Sequence, residues 1–367
     1  MIAWFFDTIS AVLVLALLWP VSVAADTLAS SVYVRTDGDH TTVVSPHARL
    51  SKQLFDNTTV DVAYTADIWT SASIDIRASA SLPVTEQRDE LNFGLTHELA
   101  DLDLTVGYRY SVEHDYLSHG VNAGAAYAFA DNNATLALNG YALFDTVGRA
   151  GFPAFSEPLR TVGGRLSFTQ IFDPLMFGQL TYELTHVDGY QASPYRKVGF
   201  GGTGFGCRNA AICLDEHEPD WRNRHAAALL VRRALSDQFS LGVTYRFIVD
   251  DWGLTSHTGA AQLAFLIDTM STLTLRYRAY WQSGVNFYAK IYPIDYPQAG
   301  FTTRDREQSP MHDQRIALDW EQRVHLDTRL DLAVTASAAG SLYDYSQFVG
   351  LTHVWALELT LAIALVR

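Results

Sequence analysis

Residues 272–282 read TLTLRYRAYWQ, with Arg276 and Arg278 set among Leu273, Leu275, Tyr277 and Trp281. A helix would mix charge and apolar bulk on every face. A strand separates them, because successive side chains point to opposite sides. Leu273, Leu275, Tyr277, Ala279 and Trp281 then share one face, and Thr274, Arg276, Arg278, Tyr280 and Gln282 share the other. The pattern recurs in DLTVGYRYSVE (103–113), FSLGVTYRFIVD (239–250) and RIALDWEQRV (315–324). It also closes the chain, where Trp355, Leu357, Leu359, Leu361, Ile363 and Leu365 oppose Ala356, Glu358, Thr360 and Ala362.

A soluble β-sandwich alternates too, so three further features decide. The runs are long, above the ~5 to 6 residues usual in soluble strands and enough for the ~9 to 11 that cross a bilayer on a tilt. Aromatic residues gather near their ends, as interfacial girdles require. The connections also alternate. FDNT (55–58), ELADLD (98–103), ADNN (130–133), FDPL (172–175), LSDQ (235–238), DTMST (268–272) and HLDT (325–328) are short and carry Asp or Asn, which tolerate tight turns. Between them lie longer connections near 67–85, 113–119, 146–159, 188–222, 250–254, 284–312 and 343–351, preceded by the brief DGDH at 37–40. Short turns on one side and long loops on the other predict an all-β, transmembrane, antiparallel up-and-down β-barrel. The segments number about 16, with 14 to 18 compatible.

Apolar side chains then face lipid and the arginines face inward, because an Arg turned to lipid at the midplane costs roughly 2–4 kcal/mol. The expected pore-lining set includes Arg109, Arg246, Arg276, Arg278, Arg315, Glu113, Glu183, Asp319 and Glu321, with Arg49, Arg165, Arg232, Arg323, Glu90, Glu98 and Glu358 of the same parity. Mixed signs read either as a wall of mutually neutralising ion pairs or as an arginine ladder facing acids across a pore. A barrel of this size holds water unless loops fill it.

The net charge of −14, from 26 basic and 40 acidic residues, argues against nucleic acid as a partner. ISAVLVLALLW (9–19) followed by VSVAAD (21–26) reads as a secretory signal cut before Asp26, although MIAWFFD carries no Lys or Arg. The expectation is a signal peptide over 1–25, a single barrel over 26–367, and placement in the outer membrane of a Gram-negative bacterium. No later stretch approaches the ~20 apolar residues of a membrane helix.

DIWTSASIDIRASAS (67–81) supplies Asp67, Thr70, Ser71, Ser73 and Asp75. Alternation persists there, so the strand continuing above the membrane is weighed ahead of an inward-folded constriction. Cys207 and Cys213 predict a disulfide in an exported loop. The run Asp215, Glu216, His217, Glu218 is either a solvated loop or a loop site for a divalent cation. No cofactor is otherwise expected. EHD (113–115) and Asp250–Asp251 contain ingredients of barrel proteases, but no nucleophile and base are arranged, and no enzyme is expected.

Several segments, DIWTSASID (67–75), DDWGLTSHT (250–258), RYRAYWQSGVNFY (276–288) and TTRDREQSPM (302–311), resemble an uncharacterised family of proteobacterial outer-membrane proteins known as a domain of unknown function. The resemblance covers nearly all of the chain after residue 30. It implies a barrel without assigned activity, transfers no catalytic residues, and hints at a periplasmic redox or metal-linked setting. Two functions follow as expectations: a porin-like channel for small solutes or ions, or a plugged barrel serving as a surface scaffold or outer-membrane partner of a periplasmic system. Outer-membrane lipid is a partner of either, and a homo-oligomer fits both.

Overall fold

The computed structural model describes residues 26–71, 84–203, 207, 209–328 and 330–367. The expected signal segment, together with Ser73 and Asp75, lies outside them.

The parity of TLTLRYRAYWQ becomes a strand over Ser271–Gln282, one of sixteen that close a barrel. In chain order the strands are β1 (Thr27–Asp37), β2 (Thr41–Phe55), β3 (Thr58–Ser71), β4 (Val84–Leu99), β5 (Leu102–Val112) and β6 (Tyr116–Phe129). They continue as β7 (Ala134–Gly148), β8 (Ser156–Asp173), β9 (Met176–Gly189), β10 (Lys197–Phe200), β11 (Ile212–Asp215) and β12 (Trp221–Ala234). The last are β13 (Phe239–Asp250), β14 (Thr255–Leu266), β15 (Ser271–Gln282), β16 (Met311–Asp327), β17 (Leu330–Asp344) and β18 (His353–Val366). Each barrel strand pairs antiparallel with its sequence neighbours, except that β9 pairs with β12. The register from Thr27↔Val366 to Asp37↔Ala356 closes β1 on β18. Closure removes the edges that an open sheet would expose. The strand β10 and its partner β11 form a separate hairpin inside the 188–222 connection, which sequence reading treated as one loop.

The short turns are tighter than the sequence suggests, because strand pairing continues into them. Only Ala100 and Asp101 separate β4 from β5. In ADNN, Ala130, Asp131 and Asn132 all take positive φ, at 54°, 53° and 64°, a conformation that, glycine aside, Asn and Asp bear with least strain.

On the outer face a single device repeats. Tyr108, Tyr182 and Tyr245 each hydrogen-bond through their hydroxyl to Nδ1 of a histidine on the next strand, namely His119 at 2.7 Å, His225 at 2.6 Å and His257 at 2.6 Å. Tyr64 donates in the same diagonal geometry to Asp89 and Tyr277 to Gln314. In each case the tyrosine sits on a strand rising toward the long loops, and its partner lies two register steps nearer those loops. An aromatic ring below and a satisfied polar tip above is what a membrane–water boundary selects. Phe239 stacked on Phe265, and Phe129 beside Tyr127 and Phe168, lie toward the short-turn end of the same face.

Candidate functional site

The inner wall is built by the opposite parity. Arg276 Nε meets Asp319 at 2.8 Å, Arg278 Nη2 meets Asp313 at 2.6 Å, and Arg315 Nη2 meets Glu358 at 2.8 Å. Arg109 holds Glu90 at 2.7 Å and Arg49 holds Asp61 at 2.6 Å. Glu183 is shared by Arg165 and Arg246. Arg323 pairs with Glu321 two residues away on its own strand, at 3.0 Å. These pairs run along one strand, between neighbouring strands or, for Arg246–Glu183 and Arg315–Glu358, over one intervening strand, rather than across the lumen, as the mutually neutralising reading requires.

The neutralisation is uneven. The inner faces of β8, β9, β12 and β13 carry five arginines (165, 222, 224, 232 and 246) against Glu157, Glu183 and Asp250. Those of β2 to β5 carry three (Arg49, Arg88, Arg109) against Asp61, Asp67, Glu86, Glu90, Glu98 and Asp103. Two walls of opposite net sign thus face each other obliquely across the lumen.

Other candidates land elsewhere. Glu113 lies in the turn 113–115 rather than on a strand, where burial and the nearby Asp115 and Glu86 raise its carboxyl pKa against the pull of Arg88. Asp67 is an inward residue of β3, bound by Ser45 Oγ at 2.5 Å and by Arg88. Thr70 and Ser71 end the same strand, and Ser71 Oγ meets Thr41 Oγ1 at 2.9 Å, so these three belong to the wall and not to an inward-folded constriction. Cys207 and Cys213 are joined by a disulfide.

The acidic run does not converge on a metal. Asp215 ends β11 and pairs with Lys197 at 2.7 Å, and His217 is exposed beside Phe301, while Glu216 and Glu218 are buried on the other side. Among the described residues, no group of three or more His, Cys, Asp or Glu is arranged to hold a metal ion.

Glu216 has a different task. Its Oε1 accepts from Thr303 Oγ1 at 2.7 Å and from Arg304 N at 2.6 Å, and its Oε2 accepts from Ser193 N at 3.0 Å. With the backbone bridge between His217 and Thr302, it ties the β9–β12 connection to residues 283–310. That second connection forms a cap over the long-loop end. Gln282, the last inward residue of β15, donates to Glu307 O at 2.7 Å and Ser309 O at 2.8 Å, and so draws the 3-10 turn Arg306–Gln308 over the lumen. Arg306 reaches Asp39 in the β1–β2 turn at 2.6 Å, and Arg196 reaches Asp305 at 3.0 Å. Arg304 stacks 4.7 Å over Phe348, and Tyr288 donates to Gln347 O. In the DDWGL turn (250–254), Trp252 O accepts from Asn286 N at 2.8 Å. Gly253 has φ +86°, and a Cβ there would fall 2.2 Å from Asn286 Oδ1. Val198, Phe200 and Tyr292 form one dry knot of the cap; Trp252, Leu254 and Val285 form another. Three of the four segments that carried the family resemblance therefore meet at this cap.

Beneath the cap lies a cavity of about 350 Å³ lined by Arg222, Arg224, Tyr280, Gln282, Glu307 and Tyr345. Deeper in the lumen is one of about 460 Å³, lined by Asn139, Tyr141, Arg165, Glu183, Arg224 and Arg246. Sequence reading missed Arg222 and Arg224, which stand in WRNRH (221–225) with the same R-x-R parity as Arg276 and Arg278.

Glu218 is nearly fully buried, and its Oε1 has no hydrogen-bond partner. Burial first, then the neighbouring Glu216 carboxylate, push its pKa up to about 8. A carboxyl whose folded pKa is raised stabilises fully below its unfolded value of about 4.5, and that contribution is lost as pH rises toward 8. The cap is therefore expected to loosen between about pH 5 and pH 8, seen as faster proteolysis within 283–310. Glu218→Gln should flatten that dependence, and an unchanged pH profile in this variant would refute the assignment.

The fold is that of outer-membrane barrels. A bacterial polysaccharide outer membrane secretin shares it with a TM-score of 0.53 at 8% identity, over 94% of this chain and 99% of that one. The ferric enterobactin receptor of Pseudomonas aeruginosa aligns at 12% identity and a TM-score of 0.46, over 88% of this chain and 54% of the receptor. No curated protein matches the chain. Residues 22–157 and 149–317 match the model of a family described as "Protein of unknown function (DUF3570)". The match spans most of the barrel and its cap, and the chain belongs to this family.

Proposed function

We propose that the chain is a porin-like channel of the outer membrane that passes small solutes or ions through its charged lumen, with no catalytic role. The observation that supports this is the inner wall, where cavities of about 350 and 460 Å³ below the cap lie against the arginine-rich strands while the acid-rich strands β2 to β5 stand obliquely opposite. Charged walls on both sides of a water-filled path create a transverse field, which orders and selects passing ions.

A second reading has its own support. The cap is tied to the rim from the β9–β12 connection round to the β1–β2 turn, which suits a plugged barrel acting as a surface scaffold or as partner of a periplasmic redox or metal-linked system.

Planar-bilayer recording separates the two. The mature protein should show steps of constant size. Changing Arg276 and Arg278 together to Ala leaves Asp319 and Asp313 without their partners. The permeability ratio should then move toward cations by about two-fold or more. A correctly folded barrel that stays silent at all voltages would sink the channel reading in favour of the plugged one.

A further inference from the structure

We propose that the lumen contains a binding site for a small polyhydroxylated organic anion, of the sugar-acid or sugar-phosphate class, centred on Arg224. The inference rests on the channel reading and names its class of solute.

The lumen-facing arginines described above each hold a carboxylate, with two exceptions among the described residues. Arg232 lies against the side-chain amide of Gln262 toward the short-turn end. Arg224 has no carboxylate partner, because the nearest acid, Asp250, is engaged by Arg222. Its side chain is exposed to the lumen and lines both the 350 Å³ and the 460 Å³ cavities, so it stands between the space under the cap and the space below it. A guanidinium is charged at every accessible pH and presents a planar fork that matches carboxylate or phosphate oxygens. Left unpaired in a confined lumen, it recruits a mobile anion.

The surroundings favour the same sign. Arg165, Arg224 and Arg246 against Glu183 make three positive charges to one negative around the 460 Å³ cavity, a net of +2. That volume falls within the ~300–1,000 Å³ of small-molecule sites. The remaining lining is not the apolar wall that usually takes aromatic ligands. It offers Asn139 and the Tyr141 hydroxyl, hydrogen-bonded at 3.0 Å to Thr185 Oγ1. Such groups exchange hydrogen bonds with ligand hydroxyls, and a site built to do so discriminates against analogues that lack them.

Titration calorimetry on the purified, folded barrel in detergent tests this without requiring conduction. Gluconate and glucose 6-phosphate are the two anionic probes, with glucose and acetate as controls. At least one anionic sugar should bind about ten-fold or more tightly than both controls, and the stronger of the two tells carboxylate from phosphate. Arg224→Gln should lose about ten-fold or more of that affinity, Arg224→Lys less, and Arg232→Gln should leave it unchanged. Acetate binding as well as gluconate, equal affinity in Arg224→Gln, or no binding of either anionic sugar would each overturn the site. Channel activity in chloride is recorded separately, so a conducting barrel that binds neither probe refutes the site and leaves the channel reading intact.

Discussion

Arg222→Ala is expected to destabilise the barrel by about 3 kcal/mol or more, because it leaves a buried carboxylate without its cation. The side chains of Arg222 and Asp250 are 8% and 0% exposed, so solvent does little to screen the loss. Arg222 Nε donates to Asp250 Oδ2 at 2.7 Å, and Nη2 reaches the same oxygen. The other oxygen, Oδ1, accepts from Trp252 N at 3.0 Å and Leu254 N at 2.9 Å. Its guanidinium also lies 4.2 Å over the ring of Trp252, whose indole N–H donates to Trp221 O. One arginine thus fixes the DDWGL turn, and through Asn286 that turn fixes the start of the cap. Denaturant unfolding in lipid vesicles, followed by tryptophan fluorescence, measures the effect. Arg222→Met combined with Asp250→Asn should recover more than half of the loss, since removing both charges costs less than orphaning one. A loss below about 1 kcal/mol for the single change would mean that Arg224 swings across to neutralise Asp250, and the pair would not be what holds the turn.

The barrel was legible because its signal is local. Parity within TLTLRYRAYWQ needs no knowledge of any other segment, and the turn residues of ADNN or LSDQ declare themselves in four positions. Partner identity is not local. Arg276 meets Asp319 on β16, and that pairing depends on the register set after a cap of more than twenty residues. Arg222 and Arg224 are hidden for a narrower reason. WRNRH straddles the end of the long 188–222 connection, whose loop composition masks the alternation of Trp221, Asn223 and His225 against the two arginines that opens β12. The acidic run shows the same lesson in reverse. Its residues alternate as strand residues do, which sends Asp215 and His217 away from Glu216 and Glu218, and a count of oxygen ligands alone hides that.

The cap is also where the second large effect is expected. Glu216→Ala removes the acceptor of three donors, Ser193 N, Thr303 Oγ1 and Arg304 N, from a site where the Glu216 side chain is 0% exposed. Hydrogen bonds to a charged acceptor contribute about 1.5–3 kcal/mol each, and these share one group, so a combined local loss of at least about 3 kcal/mol is expected. The barrel itself should survive, because its sixteen-strand closure does not pass through Glu216. Resistance of the strands to protease should persist while residues 283–310 are cut. On the channel reading, conductance steps should grow as the 3-10 turn leaves the lumen. Glu216→Gln keeps an acceptor for part of the set and should be milder. The variant also reports on its neighbour: the Glu216 carboxylate helps hold the Glu218 pKa up, so in Glu216→Ala that pKa should fall, and the pH-dependent loosening should be smaller and finish at lower pH. A cap that stays protected, with the pH profile unmoved, would show that the hydrophobic knots around Tyr292 and Trp252 hold it without the carboxylate. The plugged reading would then gain, because a lid held mainly by dry packing has no polar latch to release.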